Sequence, residues 1–313
     1  MLAGVSTLSV IMNQPSYLVF PCFGEEGFYY ECAFALLSLS RLYDIGNLPF
    51  HEIWIYTDNA GWFTRFKDCP LPLRFRNVTT AEINEWKGAI NYLYRSKIEM
   101  LKDFTETHQG NVLFCDTDIV FTSPLAPLLQ GIEAGQVYMQ NREGIVNTRS
   151  SPMLKRLDDY LRRTPHTPVN GKNLFDLPMW NSGIIGFNTS IPDVAADALA
   201  FTDEYYPRNH SIRVIEQFAF SVVFLRSGAI HAAAPYTLHY WNLREARQIF
   251  QSFFTHLKGS SWQQLTQLSG MIQLFETMME KVRFENSQNF LGKIIQVKWR
   301  PPATNWDELK RQL

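Results

Sequence analysis

The chain has 313 residues, 46% of them hydrophobic and 14% aromatic, which supplies a large apolar core and excludes a disordered polymer. Its formal net charge of -1 excludes the broad basic face that nucleic-acid binding by counterion release requires. A nucleotide ligand stays open, because a metal and a few local cations can meet its charge.

Residues 1–12 carry no basic region and lead into Asn13-Gln14-Pro15, so no signal peptide is read there. Residues 17–20 are a short apolar run ending at Pro21, the pattern of a first buried strand. Helical spacing follows over 31–43. A second strand is expected over 51–56, closed by Thr57-Asp58-Asn59, and a third over 73–78. Residues 92–104 place Leu93, Ile98, Leu101 and Phe104 near one helical stripe, and 111–115 form a fourth strand.

Past residue 130 the alternation loosens. Residues 137–139 and 183–187 read as strands, 192–206 and 213–225 as helices. Beyond Leu243 the composition turns to Gln, Ser, Phe and Leu with helical periodicity, until 293–297 reads as a last strand. Strands separated by helices imply an α/β fold with a mostly parallel sheet and right-handed crossovers. The division expected is a domain over 1–242 and a mainly helical extension over 243–313.

Cys22, Cys32, Cys69 and Cys115 lack metal-ligand spacing and fit free thiols in a reducing, cytoplasmic compartment. No stretch reaches the roughly 18 apolar residues of a membrane-spanning helix. Lys293, Lys298 and Arg300 lie among Ile, Val and Trp in a tail that could touch an anionic membrane surface; the plainer reading is a segment packed on the domain.

The most informative stretch is the apolar strand 111–115 running into Asp116-Thr117-Asp118. In extended geometry residues i and i+2 point the same way, so the two carboxylates converge at the carboxyl end of a strand, where open α/β sheets bind ligands. Two adjacent carboxylates repel unless a cation or proton lies between them, and hard oxygen ligands suit Mg²⁺ or Mn²⁺. The plain alternative is a solvated turn. A second apolar run at Ile119-Val120-Phe121 weighs against it, since acids wedged between buried strands are costly without partners.

Two enzyme classes use this pattern. Haloacid-dehalogenase-type phosphatases place it on their first strand and need a further acidic pair. Here three strands precede it, and the later pair, Asp158-Asp159, reads as the solvated face of a charged helix. That class is the alternative. A non-catalytic binding module is a third reading, opposed by the intact acid pair.

Over roughly residues 15–245 the chain resembles the nucleotide-diphospho-sugar transferases of the GT-A fold, and within them the retaining galactosyltransferase and glycogenin branch. The resemblance rests on the strand 17–20, the helix carrying Arg95 and Lys97, Asp116-Thr117-Asp118, the segment 180–187, Glu216-Gln217 and His239. It implies a Rossmann-like, mostly parallel sheet and a metal-dependent glycosyltransferase. The implied donor is a nucleotide-diphosphate sugar, a UDP-sugar first, and the acceptor is open.

The resemblance also implies roles. His239 completes the metal site with Asp116 and Asp118. Lys97, or Arg95 in second place, contacts the donor. Asn181, Ser182 and Gly183 lie beside the sugar, Thr117 beside the donor, and Phe23 and Asp58 near the base. Gln217 stands beside the anomeric carbon with Glu216 on donor or acceptor hydroxyls; the competing reading pairs Glu216 with Arg213. His231, in Ala-rich sequence, is expected to be buried. A late Gly and Lys-Pro-Trp of the related branch is missing, with Arg244 and Arg247 standing nearby instead. No GxGxxG or GxxxxGK[ST] occurs, which argues against a dinucleotide enzyme and a P-loop NTPase.

Overall fold

The computed structural model describes residues 13–44, 46–208, 212–288 and 298–301, together with Asn305, Trp306, Glu308 and Arg311. The readings for residues 1–12 and for the strand 293–297 fall outside these. In chain order the first half comprises β1 (Ser16–Pro21), α1 (Glu26–Ser40), β2 (Glu52–Thr57), β3 (Leu73–Asn77), α2 (Thr80–Trp86), α3 (Arg95–Thr107), β4 (Asn111–Cys115), β5 (Ile119–Phe121) and α4 (Ala126–Glu133). There follow β6 (Val137–Met139), β7 (Arg142–Ile145), α5 (Pro152–Leu161), β8 (Pro178–Trp180), β9 (Ile184–Asn188), α6 (Val194–Tyr205), α7 (Ile215–Ser227), β10 (Ile230–Ala232) and β11 (Thr237–His239). The chain then runs through α8 (Ala246–His256), α9 (Trp262–Ser269) and α10 (Leu274–Ser287).

Seven strands make the main sheet in the order β10-β6-β9-β4-β1-β2-β3. All run parallel except β9, which lies antiparallel between β4 and β6. This is the α/β, mostly parallel architecture expected from the alternating pattern. Central strands bury both faces, so they read as continuous apolar runs. Leu18, Phe20, Leu113 and Cys115 enter one core cluster, and Tyr17, Val19, Val112 and Phe114 enter the other, as the period of two requires.

The first cluster is shared with α1, α4, α8 and α9, the second with α3, α5, α6 and α7. The Phe34 and Phe250 rings stack with centroids 4.0 Å apart, so α8 is built into the same core as α1. Helix α1 begins at Glu26, ahead of the expected residue 31. No side chain caps it, and packing fixes its first turns: Tyr29 stacks on Trp62 and meets Phe63 edge-on. The two-stranded pairs β5–β11 and β7–β8 flank the main sheet. No helix among the described residues is long and apolar enough to cross a membrane.

Two expectations are corrected here. Asp158 is fully buried, not on a solvated face, because Arg149 and Arg162 bracket it at 2.7 and 2.9 Å; its neighbour Asp159 is half-buried. His231 is exposed, because β10 is a short strand at the sheet edge and its small Ala neighbours cover nothing.

Candidate active site

Strand β4 delivers Asp116 to the carboxyl edge of the sheet, and β5 carries the chain away after Asp118. Strand β11 pairs antiparallel with β5 so that His239 stands opposite Ile119, one residue from Asp118. His239 Nε2 lies 3.1 Å from Asp118 Oδ1. One ligand atom each from Asp116, Asp118 and His239 fall within 4.8 Å of one another. The Asp116 and Asp118 side chains keep 26% and 24% of their surface, so the pair stays open to solvent.

Beneath them Lys97 rises from α3. Its Nζ lies 2.8 Å from Asp116 Oδ1 and 3.4 Å from Glu216 Oε1, and it donates to the Ser182 carbonyl at 3.2 Å and the Ser182 hydroxyl oxygen at 3.3 Å. Glu216 Oε1 is buried without a hydrogen-bond partner among the described residues, and the ion pair with Lys97 and the Ser182 side chain favour the carboxylate. The pairing of Glu216 with Arg213 is replaced by this one. Its neighbour Gln217 accepts from the Ser182 N–H at 3.2 Å. Both residues at the start of α7 therefore converge on the same segment.

Burial opposes ionisation of Asp118, but the charge and hydrogen bond of His239, with Lys97, hold its carboxyl below the ordinary value. In Asp116 burial, aided by the charge of Asp118, outweighs Lys97, and its carboxyl lies above. Burial draws the His239 imidazole down, yet Asp118 and Asp116 together lift it above the ordinary histidine. Glu216 is raised by burial against the pull of Lys97.

The segment after β8 is held tightly. Asn181 Oδ1 accepts from Gly183 N–H at 2.9 Å, its amide donates to Glu143 at 3.0 Å, and Asp116 N–H donates to the Gly183 carbonyl at 2.8 Å. A Cβ on Gly183 would stand 2.6 Å from the His239 ring, so only glycine lets that imidazole sit beside the acids.

No protein-family model matches the chain, and no curated protein matches it. Among solved structures, mouse xyloside xylosyltransferase 1 overlaps with a TM-score of 0.45 at 12% identity, over 69% of this chain and 84% of that one. The glycosyltransferase GlyE of Streptococcus pneumoniae TIGR4 gives 0.46 at 12%, over 84% of this chain and 64% of that one. The galactosyltransferase LgtC, solved with donor and acceptor sugar analogues, gives 0.44 at 12%, over 75% and 94%. Likenesses this distant say nothing of this chain's substrate, and the residues of the site must carry that question.

The remaining expected contacts are dispersed. Arg95 is turned away from the acids, its guanidinium held by Asp203 at 2.7 Å, Glu99 at 2.7 Å and the Trp86 carbonyl at 2.8 Å. Asp58, past the end of β2, accepts from Gly24 N–H at 3.1 Å and from the Tyr29 hydroxyl. Phe23, past the end of β1, is half-buried against the second core cluster. Thr117 points away from the two acids and donates to Glu31 at 3.0 Å.

Glu31 was not among the expected residues. It sits 2% exposed on α1, faced by Thr117, Arg247, Asp118 and Tyr240. Burial first, then the charge of Asp118, pushes its carboxyl from 4.5 up to about 7. The folded chain thus binds a proton there between pH 4.5 and about 7 that the unfolded chain has released. Stability contributed by this group is therefore present below 4.5 and lost as pH rises to about 7, by roughly 3 kcal/mol at most. In chelator-treated protein, Glu31→Gln is expected to flatten the urea midpoint against pH across that window. A slope equal to the wild type's would assign the titration to other groups.

Proposed function

We propose that the protein is a metal-dependent glycosyltransferase, moving a sugar from a nucleotide-diphosphate sugar, a UDP-sugar first, to an acceptor with retention of anomeric configuration. The observation that carries this reading is the convergence of Asp116, Asp118 and His239 at the carboxyl end of β4. Two carboxylates and an imidazole fit a hard divalent cation, Mn²⁺ or Mg²⁺. His239 Nδ1 is buried without a partner, which leaves Nε2 as the nitrogen turned towards Asp118. Such an ion supplies positive charge to a departing diphosphate.

The protein's own groups do the rest. Lys97 lies between Asp116 and Glu216, offsets part of the cost of placing two carboxyl groups in a small volume, and fixes Ser182. Gln217, on the Ser182 N–H, is proposed to flank the anomeric carbon, with Glu216 and Asn181 behind it. Asp58 and Phe23 are proposed to border the base at the ends of β2 and β1, with Ser182 and Gly183 shaping the donor pocket between; Thr117, buried on Glu31, does not line it. Four free cysteines, Cys22, Cys32, Cys69 and Cys115, support a cytoplasmic setting.

The phosphatase reading needs a second acidic pair at the site. Asp158 is spent on Arg149 and Arg162, which weighs against it.

Two measurements test the proposal. With Mn²⁺ present, UDP at about a hundred times its dissociation constant should stabilise the fold by about 2.7 kcal/mol, and chelator should erase the gain. An α-linked donor should give an α-linked product, read from the anomeric proton coupling. A β-linked product would replace retention by inversion with Glu216 as base. Hydrolysis of simple phosphomonoesters would favour the phosphatase.

A further inference from the structure

A buried carboxylate on α1 joins three parts of the chain that the sequence separates. In Asp116-Thr117-Asp118 the acids face the open edge of the sheet, while the chain turns at residues 117–118 between β4 and β5 and Thr117 is buried in the protein. There its hydroxyl donates to Glu31 Oε2 at 3.0 Å. The other oxygen of Glu31 accepts from Arg247 Nε at 3.0 Å. Arg247 belongs to α8, the helix that follows the His239 strand. Its Cζ lies over the Phe28 ring at 4.3 Å from the centroid, and it reaches Glu25 at 3.1 Å. A Cβ on Gly27 would come within 2.7 Å of Arg247 Cδ, so α1 carries a glycine where that side chain crosses it.

A carboxylate this deep is costly, and a buried ion pair is weak evidence of stability in itself, since apolar replacements of similar volume often do as well. What the arrangement provides is direction. The Thr117 hydroxyl is held on Glu31, and the peptide units on either side of Thr117 carry Asp116 and Asp118. We infer that Glu31 is a positioning residue for the metal-binding loop, fixing the two acids through Thr117 and tying them to α8 through Arg247. This rests on the metal reading of Asp116, Asp118 and His239.

The test uses the full chain without donor, titrated with Mn²⁺ alone and followed by the electron paramagnetic resonance of free Mn²⁺, alongside melting midpoints. Thr117→Val deletes the hydroxyl and changes no charge. It should weaken Mn²⁺ binding about tenfold, the lower end of what outer-sphere partners of metal ligands contribute. Thr117→Ser keeps the hydroxyl and should bind within about twofold of wild type. In the Thr117→Val background, Arg247→Met should cost no further affinity, because the link is already cut. Should the Thr117→Val variant fail to fold, Thr117→Ala removes the same hydroxyl without added bulk.

Unchanged Mn²⁺ affinity in Thr117→Val or Thr117→Ala, with or without a lower melting midpoint, overturns the inference. An additive loss from Arg247→Met overturns the tie to α8. Wild-type protein that binds no Mn²⁺, or Asp118→Asn that still binds it fully, overturns the metal reading and this inference with it. Binding lost in Asp118→Asn yet intact in Thr117→Val overturns this inference alone.

Discussion

Asp118→Asn is expected to lower transfer from a nucleotide-sugar donor by about a thousandfold while the chain folds normally. Asn keeps the volume and one amide oxygen, and the side chain it replaces is partly open to water, so little packing changes. What goes is a full negative charge facing His239 at 3.1 Å and one anionic ligand. A divalent ion is worth several kcal/mol of charge stabilisation on an oxygen leaving group, and each 1.4 kcal/mol is about tenfold in rate. Sugar transfer with Mn²⁺ and a thermal melt on the same sample settle the matter. Turnover near wild type in a normally folded Asp118→Asn protein would remove the metal from the mechanism.

The second large effect is on stability. Lys97→Met should destabilise the fold by about 3–5 kcal/mol, the usual consequence of removing one partner from a buried charge cluster. Lys97 is buried, and although burial pulls its ammonium down, Asp116, Glu216 and Asp118 hold its pKa above the ordinary lysine value. Without it Asp116 and Glu216 face each other with no cation between them. Lys97→Met combined with Glu216→Gln should recover part of the loss, because one of the two stranded charges goes as well. Urea midpoints for the single and double variants measure this. A single variant within about 1 kcal/mol of wild type would mean that water or a proton already balances the pair.

The frame was legible because its central strands obey simple rules. Residues 112–115 and 17–20 are apolar runs, the first bounded by Asn111 and Asp116 and the second by Ser16 and Pro21, and nothing competes with the strand reading. In the two flanking pairs β5 shows as the apolar run 119–121, whereas β7, β8 and β11, of three or four residues, carry too few alternations to stand out. The acid pair was readable because it sits between the apolar runs before Asp116 and after Asp118, although the chain turns at residues 117–118 instead of staying extended. His239 was placed by resemblance, since no local pattern marks a histidine for a ligand 121 positions away.

Glu31 was missed for a related reason. In sequence it is one polar residue in an aromatic helix, and its partners Thr117 and Arg247 lie 86 and 216 residues on. Asp158 misled in the opposite sense: a charged neighbourhood suggested solvent, but the charges were its own counter-ions. On α3, Arg95 and Lys97 are two residues apart and so face different ways; of the two, Lys97 reaches Asp116. On α7, Glu216 reaches Lys97 and Gln217 the Ser182 N–H, so both adjacent side chains enter the Ser182 environment.

The pairing of β11 with β5 also sets an order of events during synthesis. Asp118 leaves the ribosome long before His239, and nothing local can bring the two together until β11 has emerged and closed a loop of more than a hundred residues. A nascent chain arrested before residue 237 can already hold β1 to β4 and β9 in register, yet its acids stand without their histidine. The three side chains therefore come together late in translation, and Mn²⁺ uptake by stalled chains of increasing length, under the proposed metal reading, would report the moment at which the last part of the fold closes over the first.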